Sequence, residues 1–256
     1  MIETFVTLLF AHVLADFVFQ TRAMVAAKQQ PAPMAAHGLI VLATAIATTG
    51  SLHPSLVALA AIHLAIDLAK THLAPRLTEN RLGPFLADQA AHLASLGALA
   101  VVVPGLYASG LWAQSFWETI PPLSHLPGLM ALAAGAVIAT RAGGFAVGFL
   151  MAPWAADLAM RSAATPQRTE GLLNAGQTIG HLERGLIFLL VLTGQPGGIG
   201  FLIAAKSVLR FGTVGDDRAI SEYVIIGTLA SFGWAIAAAH LTLALLAPLG
   251  IPAFPH

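Results

Sequence analysis

Cysteine is absent from the 256-residue chain, which excludes disulfide frameworks, thiolate zinc sites, iron–sulfur clusters and cysteine nucleophiles together. Charge is almost as scarce. Asp, Glu, Lys and Arg make up 9% of the residues against 57% apolar ones. Soluble domains carry roughly 25% charged residues, and a surface this poor in charge could not stay wetted. Neither sign is in excess, with 12 basic residues against 12 acidic, so a nucleic-acid binder with a basic face is excluded. Also missing are a Gly-rich phosphate loop of the nucleotide-binding kind and the strict alternation of a β-barrel. What remains is an all-α, polytopic membrane helical bundle whose few charges can be read one at a time.

Crossing hydrocarbon takes about 20 mostly apolar residues as a helix, with every backbone polar group satisfied within the span. Eight stretches answer, near 2–20, 31–50, 54–72, 82–104, 127–150, 172–194, 197–211 and 221–247, the seventh being the shortest. They group as a four-helix unit over 1–105, an outer connection over 106–126 and a second four-helix unit over 127–256. In the connection, Leu111-Trp112 and Phe116-Trp117 precede Pro121-Pro122. The pattern predicts an interfacial helix with its aromatic rings at headgroup level. The first span does not read as a cleavable signal peptide. It lacks a basic leader, begins with Glu3 and carries His12 and Asp16 where a smooth apolar core belongs.

Lys and Arg set the orientation. Arg22 and Lys28 lie between the first and second spans, and Lys70, Arg76 and Arg81 between the third and fourth. Arg141, Arg161 and Arg168 flank the fifth-to-sixth connection, and Lys206, Arg210 and Arg218 the seventh-to-eighth. Arg184 alone lies away from these connections, so 11 of the 12 basic residues share one side. Both termini are then outside, and the charged loops cytoplasmic.

Ionisable side chains within spans cost about 2.5–3.5 kcal/mol each on insertion scales and are functional candidates by default. The front half concentrates them. The first span holds His12 and Asp16 and runs on to Gln20, and the second holds His37. The third holds His63 and Asp67 and reaches Lys70, and the fourth holds Asp88, Gln89 and His92. Each His–Asp pair is spaced i, i+4 and shares a helix face, the spacing by which a helix presents paired metal ligands. Chain direction sharpens the pattern. In the first and third spans each Asp sits about 6 Å nearer the cytoplasm than its His. The fourth span runs the other way, and there the order is reversed. Three aspartates therefore form one layer, and the histidines, His37 included, one a turn deeper.

A single His–Asp hydrogen bond is an ordinary way to orient two helices, and a proton relay or structural ion pairs would use the same residues. But clustered aspartates in a low-dielectric site cannot all stay ionised without cations. Lys70 alone is insufficient, and neutral imidazoles bring no charge. Imidazole with carboxylate suits Zn²⁺ first, with Mn²⁺ or Fe as alternatives. Seven donors exceed one tetrahedral shell, so two ions about 3.5–4 Å apart are expected rather than one. Gln20, Lys70 and Gln89 are the candidates for orienting ligands and water, with snorkelling to the interface an equal reading for Lys70.

The back half carries a second polar group. Asn174, Gln177, His181 and Arg184 make a stripe beside Glu183, followed by Lys206, Arg210, Glu222 and Tyr223. Either the acids pair with Arg184, Lys206 or Arg210 to lock the bundle, or the basic residues grip an anionic headgroup.

These residues carry a resemblance. His12-xxx-Asp16-Phe17-xx-Gln20, Lys28, His37, His63-xx-Ile66-Asp67-xx-Lys70 and Asp88-Gln89-xx-His92 resemble the bacterial membrane family catalogued as domain of unknown function 3307, over about the first 105 residues. Ile179 to Arg184, Ala204 to Ser207, Arg210-Phe211, Glu222-Tyr223 and Gly227-Thr228 resemble its longer members. The resemblance implies a bacterial inner-membrane protein and brings no activity with it.

The leading expectation is a membrane-embedded, divalent-metal-dependent hydrolase opening to the cytoplasmic leaflet. Its substrate would be a lipid or lipid-linked ester, amide or phosphoester. A divalent-cation or proton-coupled transporter is the second reading, and an oxygen-activating di-iron protein the third. Nothing in the sequence fixes the oligomeric state.

Overall fold

The computed structural model describes residues 1–77, 81–114, 125–163, 175–211 and 218–251. Every regular element among them is helical. Six helical runs are long and apolar enough to cross a bilayer: Ile2–Phe19, Pro31–Thr49, Ser55–His72, Leu82–Val102, Leu126–Arg161 and Arg218–Leu249. The chain is an all-α bundle of membrane-spanning character.

Two compact units divide it. The first comprises 1–137 and 244–251. Its α1 (Ile2–Leu14) runs into a π-helical turn at Ala15–Phe19. A short α2 (Arg22–Ala26) follows, capped by Thr21 Oγ1, which accepts from the Met24 N–H at 3.2 Å. Next come α3 (Pro31–Thr49), α4 (Ser55–Leu77), α5 (Leu82–Val102) and α6 (Leu126–Val137). Pro31 opens α3, where its missing N–H is harmless. Gly50 closes it at φ +64°, a left-handed conformation that costs glycine nothing. Helix α1 packs on α3, α3 on α4, α4 on α5 and α5 back on α1, closing a four-helix ring. Helix α6 covers another side of α1. Threonine hydroxyls are tucked inside. Thr4 Oγ1 donates to Pro104 O and accepts from Tyr107 N, fastening the start of α1 to the segment after α5.

The second unit comprises 138–243 and 252–256, of which 252–256 are not among the described residues. It opens with a π-helical turn, Ile138–Ala142, followed by α7 (Gly143–Ala163), α8 (Ala175–Leu192), α9 (Gly197–Phe211) and most of α10 (Arg218–Leu246). A π turn leaves carbonyls off the regular ladder, and side chains take them up. Trp234 Nε1 donates to Ile138 O at 2.9 Å, and Arg184 Nε to Thr140 O at 3.1 Å.

Two of the eight expected spans differ from expectation. The 197–211 stretch is a helix of 15 residues, reaching about 22 Å where the hydrocarbon is about 30 Å thick. Helix α8 has length, but Gln177, His181, Glu183 and Arg184 fill its first half, so only its second half is smoothly apolar. The 106–126 connection also departs from the expected interfacial helix where it is described. Its described part, up to Gln114, is a run of turns ending in a 3-10 turn, Leu111–Ala113. Pro104, Gly105 and Gly110 break any helix there, and a Cβ on Gly110 would collide with the Thr49 carbonyl. The 3-10 turn docks on the end of α3, with Trp112 Nε1 donating to Ala47 O at 2.7 Å. Phe116 and Trp117 lie outside the described residues.

Candidate metal centre

All seven expected side chains meet inside the ring of α1, α3, α4 and α5. The i, i+4 spacing holds each pair on one face: His12 with Asp16, His63 with Asp67, and Asp88 with His92. His37 enters from α3. His37, Asp67 and His92 are each no more than 1% exposed.

The tightest group is made by Asp16 Oδ1, His37 Nε2, His63 Nε2 and Asp67 Oδ2. His37 Nε2 lies 3.1 Å from His63 Nε2, 3.4 Å from Asp16 Oδ1 and 3.3 Å from Asp67 Oδ2. His63 Nε2 lies 3.3 Å from Asp16 Oδ1 and 3.9 Å from Asp67 Oδ2. A tetrahedral ion bound at about 2.0–2.1 Å holds its donor atoms about 3.3–3.4 Å apart. Asp16 Oδ1, His37 Nε2 and His63 Nε2 match one face of that tetrahedron, with Asp67 Oδ2 close to both imidazoles. Hydrogen bonding alone accounts for them poorly, because one imidazole N–H on His37 cannot serve three neighbours at once.

A second set adjoins the first. His12, His63 and His92 can offer ligand atoms within 4.8 Å of one another, as can Asp67, Asp88 and His92. The His63 and His92 rings stack with centroids 4.0 Å apart. Gln89 ties this side together. Asp88 Oδ2 only accepts, so Gln89 presents its amide nitrogen there at 3.1 Å. Its oxygen then faces His12 Nε2 at 3.3 Å. In that arrangement a neutral His12 donates from Nε2 and leaves Nδ1 as an acceptor.

Buried polar atoms are normally satisfied. Among the described residues, seven buried side-chain atoms have no hydrogen-bond partner, and six belong to this cluster: His12 Nδ1, Asp16 Oδ1, His37 Nδ1, Asp88 Oδ1 and both nitrogens of His92. The seventh is Gln20 Nε2. Gln20 was expected to continue the face of His12 and Asp16. A π-helical turn over Ala15–Phe19, about one residue longer than an α turn, immediately precedes it.

Two lysines reach the carboxylates. Lys70 Nζ donates to Asp88 Oδ2 at 2.7 Å, so it does not simply snorkel. Lys28 Nζ donates to Asp67 Oδ2 at 2.8 Å. Sequence reasoning counted Lys28 only as a loop cation, and the residue pattern of the resemblance was its one other signal. With two ammonium groups against three carboxylates, a single negative charge is in excess. Lys28 thus neutralises part of the charge that Lys70 alone would leave for metal ions.

The back-half residues belong to the other unit. Lys206 Nζ pairs with Glu183 Oε2 at 2.8 Å and lies over the Phe232 ring at 5.5 Å. Arg184 is buried against Gly143, Gly144 and Gly180, and its Nη1 donates to Ser231 Oγ at 3.2 Å. No carboxylate pairs with it among the described residues. Glu222 was expected to pair deep in the bundle. It meets Arg218 instead, one turn away and exposed, at 2.7 Å. Tyr223 and Glu222 line a shallow cleft with Trp154, Asp157, Arg161 and Ile226. His181 Nδ1 lies 2.7 Å from Gln177 O of its own helix. Asn174 and the Arg210 side chain lie outside the described residues.

No curated protein and no solved structure matches the chain. A family match exists for the front part. Residues 4–118, which contain all seven convergent side chains together with Lys28, Lys70 and Gln89, match the family described as "Protein of unknown function (DUF3307)".

Proposed function

We propose that the chain is a membrane-embedded hydrolase that uses one or two divalent ions, Zn²⁺ before Mn²⁺ or Fe, on a lipid or lipid-linked substrate. The observation that carries this is the convergence of His37 Nε2, His63 Nε2 and Asp16 Oδ1 within 3.1–3.4 Å of one another, in a buried cluster where six side-chain polar atoms lack a hydrogen-bond partner: His12 Nδ1, Asp16 Oδ1, His37 Nδ1, Asp88 Oδ1 and both nitrogens of His92. Asp16, His37 and His63 would hold one ion, with Asp67 beside it. Asp88, His92 and His12 would hold a second or complete the shell. An ion there supplies a Lewis acid and a water whose pKa is lowered toward 7. Gln89 and the two lysines orient the carboxylates. Four imidazoles to three carboxylates is richer in nitrogen than the carboxylate-dominated di-iron bundles, which argues against the oxygen-activating alternative. The basic residues favour a site opening to the cytoplasmic leaflet of a bacterial inner membrane with both termini outside.

Transport of a divalent cation or proton is the second reading. One observation favours it: Thr4 and Thr7 on α1 and Thr44, Thr48 and Thr49 on α3 are buried in the other half of the same helices. They would give an ion a partly polar route to the cluster.

Elemental analysis of the purified full chain beside its His63→Ala and Asp88→Asn variants tests the proposal. Stoichiometric metal that both variants lose, with hydrolysis of a lipid ester or phosphoester, is the expected result. Metal-free protein would sink it. Exchangeable metal with ion flux in proteoliposomes would transfer the cluster to transport.

A further inference from the structure

Two cations stand at one mouth of the cluster. Lys28 precedes the start of α3, and Lys70 lies one turn beyond Asp67 toward the far end of α4. These helices are consecutive, packed on each other and joined by a short turn, so the start of one and the far end of the other share one end of the ring. The lysine side chains are 14% and 34% exposed, whereas Asp67 and His37 behind them are 1% exposed. Each ammonium has three donors and, among the described residues, spends one on a carboxylate. Of the other cations offered to an anion by the sequence, the two whose side chains are described are engaged elsewhere, Lys206 by Glu183 and Arg184 by Thr140 and Ser231.

Resting on the metal reading above, we infer that Lys28 and Lys70 clamp the phosphate group of a phosphomonoester over the centre, and that this is the substrate class. Two lysines and even one divalent ion outweigh the three carboxylates, so the loaded site carries net positive charge and attracts an anion. A phosphomonoester brings nearly two negative charges at neutral pH and three free oxygens. One oxygen can face the metal while the others take the spare ammonium donors. A carboxylate, with one charge and two oxygens, cannot meet all three at once. Hydrolysis balances simply. The oxygen of one water joins phosphorus, the bond from phosphorus to the alcohol oxygen breaks, and a proton from that water ends on the departing alcohol. The alcohol can be a lipid or a soluble molecule, since the clamp reads only the phosphate.

The test is calorimetric titration of inorganic phosphate into the detergent-solubilised, zinc-loaded full chain, with zinc content measured on the same samples. Wild type is expected to bind phosphate. Lys28→Gln and Lys70→Gln should each weaken it at least tenfold at unchanged zinc content, Lys28→Arg should recover most of the loss, and Arg22→Gln, an exposed cation on α2, should leave it unchanged. Short-chain phosphatidic acid displacing phosphate better than glycerol 3-phosphate assigns the clamp to a lipid, and the reverse order to a soluble phosphomonoester. Zinc uptake with phosphate binding indifferent to both lysines overturns this inference alone. A loss in Lys206→Gln in their place moves the anion to the back half and overturns it as well. Absence of bound zinc overturns it together with the metal reading.

Discussion

His37 and His63 turn the same ring nitrogen toward each other, Nε2 to Nε2 at 3.1 Å, from neighbouring helices. In a metal-free protein one ring donates to the other. With an ion between them both lone pairs point at it, and Asp16 Oδ1, which accepts no hydrogen bond, gains a partner. His63 belongs to two of the three donor groups, and His12 to one. His63→Ala should therefore lower zinc affinity by at least about 100-fold, more than His12→Ala does. Equilibrium dialysis against a competing chelator measures both. Equal and small effects would remove His63 from the shell.

Gln89 bridges His12 and Asp88 and can fix the proton on one nitrogen of His12. Replacing it by Leu keeps the volume and removes both hydrogen bonds. Zinc stoichiometry should persist while affinity drops about 10- to 100-fold, the usual range for partners that orient ligands. Unaltered affinity in the same dialysis would reduce Gln89 to packing.

Lys28 and a metal ion compete for one carboxylate. In the metal-free protein, Lys28→Met strands Asp67, a side chain 1% exposed. Breaking a buried pair from one side costs about 3–5 kcal/mol, and the partial exposure of Lys28 puts the expectation at the low end. Zinc should restore most of the loss, because the ion takes over the charge. Thermal melts with and without zinc decide this. A variant equally destabilised in both would show that Lys28 matters for shape alone.

Arg184 is a different kind of buried charge, held by a π-turn carbonyl and a serine hydroxyl without a carboxylate. The planar fork of arginine serves two acceptors that a lysine cannot reach together. Arg184→Lys should lower the melting temperature while leaving zinc content intact. Gly143→Ala should do the same by about 1–3 kcal/mol, since a Cβ there would sit 2.6 Å from Trp234. Loss of zinc in either variant would contradict the independence of the two clusters.

The front site was legible because helix periodicity is local. Three His–Asp pairs at i, i+4, with the order reversed in the antiparallel helix, are enough to predict layers of carboxylate and imidazole. Lys28 escaped because its partner is 39 residues away and a turn decides where its ammonium lands. The π turn itself was not legible, since nothing in Ala-Asp-Phe-Val-Phe announces it. Glu222 was credited with a deep partner when a closer one lay four residues before it. In the back half the acid–base pairing of Glu183 with Lys206 was among the readings offered, but which base each acid meets depends on facing helix sides that no periodicity specifies.

The widened turn at Ala15–Phe19 makes chain length itself a determinant of the centre. Upstream, α1 is keyed to Pro104 through Thr4, and downstream the chain must deliver Lys28 to Asp67. Excising Val18 would restore ordinary winding and swing everything after it by about 100° around the helix axis, leaving each ligand's identity intact but the lysine aimed elsewhere. A single-residue deletion there should thus abolish phosphate binding as thoroughly as losing the lysine, whereas trimming the turn between α3 and α4 should be tolerated far better.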